Sequence, residues 1–312
     1  MFETNSIIEF FKNLQDDICH GLEDLDGEGV FREDLWERDG GGGGRTRVIE
    51  GRNIEKGGVN FSHVHGKVTP LMRKSMKMEG EQWLASGVSI VLHPVSPMVP
   101  IIHMNVRYFE LDGGKDWWFG GGIDLTPHYI DLELARKFHQ RLKTVCDDFD
   151  SEAYTRYKDW ADDYFYLPHR GETRGIGGIF FDHLNSSGSE PRNPGGKSGP
   201  DKEAIFGFVK NVGRSFLPAY KEQCEQTIPL PYGSPQSTWQ MLRRGRYVEF
   251  NLIWDRGTKF GLMSDGRTES ILMSLPPQAN WAYQYQIDPA EDAGAAETRK
   301  WLQKGVDWLN QK

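Results

Sequence analysis

Three polar side chains that could bind and protonate a ligand recur at every second position between residues 100 and 109. The segment reads Pro-Ile-Ile-His-Met-Asn-Val-Arg-Tyr-Phe, and successive side chains of a β-strand point to opposite faces. His103, Asn105 and Arg107 would therefore form a row on one face, about 6.6–7 Å apart. A solvated face of an antiparallel sheet shows the same pattern, so this strand alone leaves both a site and a plain surface open.

A neighbouring segment repeats the pattern. Gly87–His93 alternates in the same way, with Ser89 and His93 opposite an apolar face. A short proline-rich connection joins it to the strand that carries His103, and strands joined in this way are typically antiparallel neighbours. Ser89 and His93 can then share one sheet face with His103, Asn105 and Arg107.

A third alternating segment, Tyr247–Asp255, is predicted to be another strand. Glu249, Asn251 and Asp255 fall on its polar side, opposite an apolar side that begins at Val248. Three strands would thus supply imidazole, amide, guanidinium and carboxylate groups to one face of a sheet.

Arginines are concentrated around these segments. They are Arg170, Arg174, Arg243, Arg244, Arg246, Arg256 and Arg267. The guanidinium group suits bidentate recognition of carboxylate or phosphate, and several would be needed to hold a polyanion against a net charge of −8. With abundant Trp, Phe and Gly, the residues indicate a pocket for a large aromatic polycarboxylate, with His103 and Asp255 available for proton transfer. They do not indicate a reaction.

The other histidines and the glycine run are each compatible with more than one role. His63 and His65 would lie on one face of a strand over Val59–Val68, where they could chelate a metal or simply be polar surface residues. His139 lies on the buried stripe of a predicted helix, which favours a core histidine over a ligand. Five consecutive glycines, Gly40–Gly44, resist regular structure, and they could form a mobile lid or a plain loop.

The remaining elements do not alternate regularly between helix and strand, which favours an α+β fold with a mostly antiparallel sheet. Helices are predicted over 6–20, from Thr126 to about Asp148, over Tyr154–Tyr166, from Asp201 with a break near Pro218, and over Glu297–Asn310, and further strands over Trp117–Leu125 and Gly175–Phe181. There is no internal repeat, and the loop 185–200 is the only plausible boundary in what we expect to be a single domain, 1–312, with residues 1–35 as an N-terminal helix and acidic lead-in.

Composition excludes several classes of protein. The net charge of −8 over 312 residues argues against a nucleic-acid binder, and no apolar run is long enough to span a bilayer. Cys19, Cys146 and Cys224 have no metal-ligand or redox spacing and are expected to be reduced thiols. With no targeting pattern at the N-terminus, we expect a cytoplasmic protein without integral membrane association.

Several long motifs together resemble the oxygen-dependent coproporphyrinogen III oxidases. The motifs are Gly57–Val64, Ile102–Phe109, Trp118–Pro127, Arg174–Gly178, Tyr247–Thr258 and Gly266–Pro276. They occur in order between about residues 36 and 285, so the resemblance covers most of the chain.

The resemblance implies a fold, a reaction and partners. It implies a homodimer built on a large antiparallel sheet with helices on both faces, with 247–282 as the dimer-contact segment. It implies oxidative decarboxylation of two propionates of coproporphyrinogen III to vinyl groups, giving protoporphyrinogen IX in haem biosynthesis. Molecular oxygen is the oxidant, carbon dioxide and hydrogen peroxide leave, and no organic cofactor is expected.

The same resemblance assigns roles to residues. His103 is similar to the family's proton donor, Asp255 would face the pyrrole nitrogens, and Arg107 would take part in catalysis and binding. The implied substrate contacts are Ser89, Asn105, Val106, Arg107, Asp265, Gly266 and Arg267. The implied positions for a divalent metal are His93, His103, His139 and His169, although they lie on separate elements without chelating spacing. A metal-dependent oxygenase or hydrolase and a non-catalytic tetrapyrrole carrier remain alternatives.

Overall fold

The computed structural model describes residues 4–70, 72–73, 79–188, 199–263 and 266–311. Asp265, an expected substrate contact, lies outside the described residues, as does most of the predicted loop 185–200.

One antiparallel sheet runs through the described part of the chain. Its seven strands are β1 (Arg32–Glu37), β2 (Gly42–Ile49), β3 (Ile54–Lys67), β4 (Gln82–Pro94), β5 (Ile101–Leu111), β6 (Asp116–Thr126) and β9 (Gly177–Leu184). They lie side by side in that order. A separate short hairpin pairs β7 (Tyr166–Leu167) with β8 (Glu172–Thr173).

In the described residues, one helix precedes the strands, two lie between β6 and β7, and the others follow β9. Within the described residues they are α1 (Thr4–Asp26), α2 (Leu132–Asp147), α3 (Ala153–Tyr164), α4 (Lys202–Thr227), α5 (Ser234–Glu249), a π-helix (Phe250–Trp254), α6 (Arg256–Met263), α7 (Thr268–Leu272) and α8 (Ala293–Trp301). None of the helices in these residues is both long and apolar enough to cross a membrane.

One face of the sheet forms the main hydrophobic core. Every second strand residue is apolar, and Ile90, Met104 and Ile123 stand opposite one another in register and are fully buried. Helices α1, α2 and α4 contribute their apolar stripes to the same core. Each such side chain contributes about 1.5–3 kcal/mol on burial, so this face fixes the register of the strands.

The opposite face is covered only in part. Tyr247 of α5 packs against Val91 and Ile101 at one end, and Phe250 packs with Phe165 and Phe180 near β9. Helices therefore lie on both faces, and the predicted α+β fold with a large antiparallel sheet is confirmed.

The strand predicted over Tyr247–Asp255 is wrong. Residues up to Glu249 belong to α5, and Phe250–Trp254 form the π-helix. The buried positions are Arg243, Tyr247 and Phe250, with the residues beside them, which is helical spacing. The alternation of polar and apolar types was overridden by packing of this helical stripe onto the sheet.

Three helix boundaries also differ from prediction. Thr126 ends β6, and α2 begins at Leu132 because the Asp131 carboxylate accepts the Leu134 backbone N–H at 2.9 Å. Helix α4 continues through Pro218 without a break, and the C-terminal helix ends at Trp301. Burial of the surrounding α4 residues offsets the backbone hydrogen bond that proline removes.

The glycine run forms a turn and the start of a strand, with Gly40 and Gly41 in the turn after β1 and the other three glycines in β2. Gly42 to Gly44 begin β2 and pair with β1 on one side and β3 on the other. Gly41 and Gly42 adopt positive φ of 113° and 78°, and a Cβ at Gly44 would overlap the ring of Trp36. Glycine is needed here for a tight turn and close packing, so the segment predicted to be either a mobile lid or a plain loop is a hairpin turn followed by a paired strand.

Candidate active site

The partly covered sheet face gathers the predicted polar row. In register, Ser89 stands opposite Asn105, Val91 opposite His103, and Gly87 opposite Arg107. His103, Asn105, Arg107 and Ser89 are all partly exposed, whereas their neighbours on the core face are buried. The sequence alternation is thus sufficient to place these four side chains together.

Glycines keep the floor of this face flat. Gly120 and Gly122 of β6 stand opposite Arg107 and Asn105, and Gly87 stands opposite Arg107 on its other side. A Cβ at Gly120 would lie 2.7 Å from a terminal nitrogen of Arg107. The absence of side chains at these positions leaves room for a bulky ligand over the row and lets Arg107 lie low across the sheet.

His103 is held by a buried ion pair. Its Nδ1 lies 2.7 Å from the Asp124 carboxylate, and the Arg174 guanidinium donates to the other oxygen of Asp124 at 2.5 Å. The side chains of Asp124 and Arg174 are each 2% exposed, against 23% for His103. Burial would raise the pKa of Asp124, but Arg174 and His103 outweigh it and lower the pKa.

This contact decides which nitrogen of His103 is available to a ligand on the partly covered sheet face. A carboxylate accepts hydrogen bonds, so Nδ1 carries a hydrogen, and Nε2 is the nitrogen left for a ligand. Neutral His103 would present an acceptor there and protonated His103 a donor. The arrangement can therefore move one proton at a fixed position.

Arg174 is stabilised by aromatic rings as well as by Asp124. Its guanidinium carbon lies 4.5, 4.4 and 4.6 Å from the ring centres of Phe165, Tyr247 and Phe250. Cation–π contacts of this kind strengthen when they are removed from water. The aromatic enclosure fixes Arg174, which in turn fixes Asp124 and His103.

Asp255 reaches the same side of the sheet from the end of the π-helix. Its Oδ1 accepts a hydrogen bond from the Tyr164 hydroxyl at 2.7 Å, and its Oδ2 accepts the Thr258 backbone N–H at 2.7 Å. Tyr164 stacks on Phe180 of β9, with ring centres 4.2 Å apart. Burial and the Asp255 carboxylate raise the pKa of Tyr164, so its hydroxyl remains a donor.

Most of the predicted arginines are engaged within the protein. Internal carboxylate partners are Glu249 for Arg170 and Arg246, Asp124 for Arg174, Glu172 for Arg243, Glu55 for Arg244 and Asp34 for Arg267. Among the described residues, Arg256 has no carboxylate within ion-pair distance and packs on the Tyr164 ring at 5.2 Å. Five acidic residues thus pair with six of the seven arginines, and a role for several of them in holding a polyanion stays a prediction.

Three of the expected substrate contacts lie apart from the row. The side chain of Val106 is fully buried in the main core on the other sheet face, as strand alternation requires. Arg267 lies at the β1 end, where it pairs with Asp34 and packs on Trp36. Gly266 donates its backbone N–H to Gly261 in the turn before α7.

The four histidines proposed for a metal each have partners in the protein. His93 contacts the Ser274 carbonyl at 2.8 Å, His139 contacts Tyr154 and the Ile176 carbonyl, and His169 contacts Glu249 and Trp254. In the part of the chain that the structure describes, no three His, Cys, Asp or Glu side chains are grouped to hold a metal ion. His139 is the buried core histidine that helical spacing favoured, and burial lowers its pKa to about 3.

Sequence reasoning missed Asp124 and Arg174 as partners of His103. The signal for Asp124 was present, because positions 118, 120, 122 and 124 alternate on one face of the predicted strand. Nothing in the sequence pairs Asp124 with Arg174, which is fifty positions further along the chain.

Residues 6–308 match the family described as coproporphyrinogen III oxidase. The chain belongs to this family. The resemblance found in the sequence motifs is thereby confirmed, and the matched residues include every strand that lines the site.

Relatives in the coproporphyrinogen III oxidase family are similar over nearly the whole chain. The oxygen-dependent coproporphyrinogen-III oxidase of Parasynechococcus marenigrum is 48% identical over 95% of this chain and 85% of its own length. Proteins of the same name from two Prochlorococcus marinus strains are 49% and 50% identical, over 90% and 93% of this chain and 85% and 86% of their own lengths.

Proposed function

We propose that this chain catalyses the oxygen-dependent oxidative decarboxylation of two propionate side chains of coproporphyrinogen III, giving protoporphyrinogen IX. In each step a –CH2CH2COOH group and O2 become a vinyl group, CO2 and H2O2. The observation that carries the proposal is the family match over residues 6–308, which includes the His103–Asn105–Arg107 strand.

The polar residues on the partly covered sheet face have different proposed roles. Arg107, whose side chain is 35% exposed, offers a fixed guanidinium to a propionate carboxylate. His103 presents Nε2 beside it for proton transfer, with its orientation set by Asp124. Ser89 and Asn105 add neutral hydrogen-bonding groups on the same face.

Asp255 is proposed to act on the macrocycle nitrogens. A carboxylate near a pyrrole N–H can accept its proton or stabilise the ring cation, so that the electron-rich pyrrole reduces oxygen directly. Tyr164 and the Thr258 N–H hold the carboxylate in place. Asp255→Ala should lower kcat far more than it raises the Kd for substrate, and an Asp255→Ala enzyme with near-normal turnover would contradict this role.

We infer that no organic cofactor takes part and that O2 reacts directly with the bound substrate. The deciding experiment is aerobic incubation of chelator-treated, metal-assayed protein with coproporphyrinogen III, followed by chromatography of the oxidised porphyrins. Protoporphyrin with matching oxygen uptake, and none without oxygen, is the expected result. Activity that returns only with added metal would favour a metal-dependent oxygenase, and binding without product would favour a carrier.

A homodimer is proposed through the segment 247–282. It exposes Leu252, Ile253, Trp254 and Trp281, which are 45%, 49%, 39% and 51% exposed. Apolar side chains clustered on one surface commonly mark a protein interface. We also propose that the chain acts as one domain in the cytoplasm, which is supported by a core running from Ile7 to Trp308 and by three buried, unpaired cysteines.

A further inference from the structure

A β-bulge lies at the edge of the candidate site, between β6 and β9. Phe119 pairs with Leu184 and Gly121 with Phe181, so Gly120 alone faces both Asp182 and His183. His183 adopts a φ of +57° to accommodate the extra residue. Bulges are frequent beside active sites, where they redirect a side chain.

The redirected side chain is Asp182, and it contacts Arg107. Oδ1 of Asp182 lies 2.9 Å from a terminal nitrogen of Arg107, and the other terminal nitrogen donates to Asn105 at 2.8 Å. Burial would raise the pKa of Asp182, but the Arg107 guanidinium and the neighbouring His183 outweigh it and hold the pKa well below its usual range. Asp182 is therefore a carboxylate, and it fixes the guanidinium plane from one side.

Gly120 makes this contact possible. A Cβ there would lie 2.5 Å from Oδ1 of Asp182 and between 2.7 and 2.9 Å from the Arg107 guanidinium. The bulge, the glycine and the ion pair therefore form one unit. His183 flanks the unit, with Nδ1 3.5 Å from the other oxygen of Asp182 and its ring stacked on Trp118 at 5.0 Å between ring centres.

We propose that Asp182 is the positioning residue that holds Arg107 across Gly120 in the orientation that binds a substrate carboxylate. The inference rests on the proposed function, since it needs a carboxylate substrate at Arg107. A guanidinium has five N–H donors, and the two contacts leave others free for a ligand. Fixing a long arginine side chain costs rotamer entropy, and Asp182 and Asn105 already fix Arg107 before a ligand binds, which lowers the cost of binding.

Asp182 also repels an incoming carboxylate, and the two effects have opposite signs. Arg107 lies between the two anions and is 35% exposed, so water screens the repulsion. Orientation should then dominate, and loss of Asp182 should weaken binding.

The test is a double-mutant cycle with Asp182→Ala and Arg107→Gln. The readouts are the Kd for coproporphyrin III, the stable oxidised macrocycle, and KM and kcat for coproporphyrinogen III. Asp182→Ala should raise Kd and KM about tenfold with kcat changed less than about threefold. In the Arg107→Gln background, adding Asp182→Ala should leave Kd and KM almost unchanged. Asp182→Asn keeps an oxygen acceptor, and its Kd and KM should lie between those of wild type and Asp182→Ala.

Two control variants separate positioning from general damage. Asp116→Asn, at the exposed start of β6, should leave Kd unchanged. Gly120→Ala should weaken binding as Asp182→Ala does, whereas Gly207→Ala, where a Cβ meets nothing within 4 Å, should not. The thermal midpoint of each variant reports whether it folds.

Two results would overturn the inference. Tighter binding by Asp182→Ala would mean that repulsion dominates, and additive losses in the cycle would mean that Asp182 acts independently of Arg107. If the wild type binds coproporphyrin III but forms no product, the proposed function fails while the binding cycle still decides the role of Asp182.

Discussion

At the scale of single residues, the feature that organises the site is a buried carboxylate that contacts one imidazole and one guanidinium group. Asp124 lies between His103 and Arg174, and each contact is within 2.7 Å. Removing one member of a buried pair leaves an uncompensated charge, which costs more than the pair itself contributes. The same carboxylate therefore supports both the fold and the orientation of His103.

Asp124→Asn tests this double role. The variant keeps the shape but leaves Arg174 buried without a charged partner, and we expect a loss of about 3–5 kcal/mol in the free energy of unfolding. The His103 tautomer is no longer fixed, so kcat of the folded enzyme should fall by about 100-fold or more. Urea denaturation and steady-state kinetics measure the two effects, and wild-type kcat with an unchanged pH profile would contradict the proposed role of His103.

Glu249 carries a second prediction, about acid stability. Burial would raise its pKa, but hydrogen bonds from Arg170, His169 and Trp281 lower the pKa to about 2. A lowered carboxyl pKa stabilises the fold above the ordinary pKa of about 4.5. This stabilisation disappears as the pH falls toward 2.

The measurement compares wild type with Glu249→Gln. Above pH 5 the wild type should be more stable by up to about 3 kcal/mol, and the difference should shrink steadily between pH 5 and pH 2. Chemical denaturation at each pH gives the two curves. Parallel curves over this range would show that Glu249 is not held ionised by its partners.

At the scale of elements, the chain after the π-helix is fastened to the sheet by a few specific contacts. The side chain of Asn60 donates to the Ser270 carbonyl at 2.8 Å, and Lys56 donates to the Leu275 carbonyl at 2.8 Å. Met273 lies directly over Gly58, where a Cβ would overlap its sulfur. This segment covers the part of the face next to His103 and Ser89. Its packing on the sheet therefore limits the space for a ligand above those two residues.

Gly58→Ala should loosen the packing of this segment on the sheet. The added methyl group displaces Met273, and overpacking of this kind costs about 1–3 kcal/mol. We expect faster protease cleavage after Gly266 together with a lower free energy of unfolding. Gly207→Ala is the matched control, because its helical position is open and alanine should be neutral or stabilising there. Equal cleavage in the two variants would show that Gly58 does not limit docking.

At the scale of the whole molecule, the two faces of the sheet have different tasks. The core face is closed by α1, α2 and α4 and supplies most of the burial. The other face is open over His103 and Arg107 and is rimmed by α3, the π-helix and α6. Leu252, Ile253 and Trp254 of the π-helix are exposed, and the proposed dimer would cover them.

Ile253→Glu tests the dimer. Ile253 is 49% exposed on the π-helix, and a buried unpaired carboxylate in an interface is costly. Light scattering coupled to size-exclusion chromatography should show a dimer for wild type and a shift toward monomer for the variant. The control is Leu230→Glu, because Leu230 is 42% exposed in the turn before α5. This variant should remain dimeric. A monomeric wild type would refute the proposed dimer.

The sequence by itself determined strands β3 to β6 and β9 of an antiparallel sheet, the row of His103, Asn105 and Arg107, and the family. Strand alternation is local, and it places side chains on a face without knowledge of distant residues. The long ordered motifs could likewise be read directly from the chain, and the family match confirmed them.

Only the tertiary structure decided which charges are paired and where helices replace strands. The partners of Asp124, Arg174 and Asp182 come from distant segments that meet through sheet register and a bulge. Tyr247–Asp255 is compatible with either period until packing selects the buried stripe. A charge is free or neutralised according to its neighbours in a low-dielectric interior, and that arrangement is a property of the fold and not of the residue order.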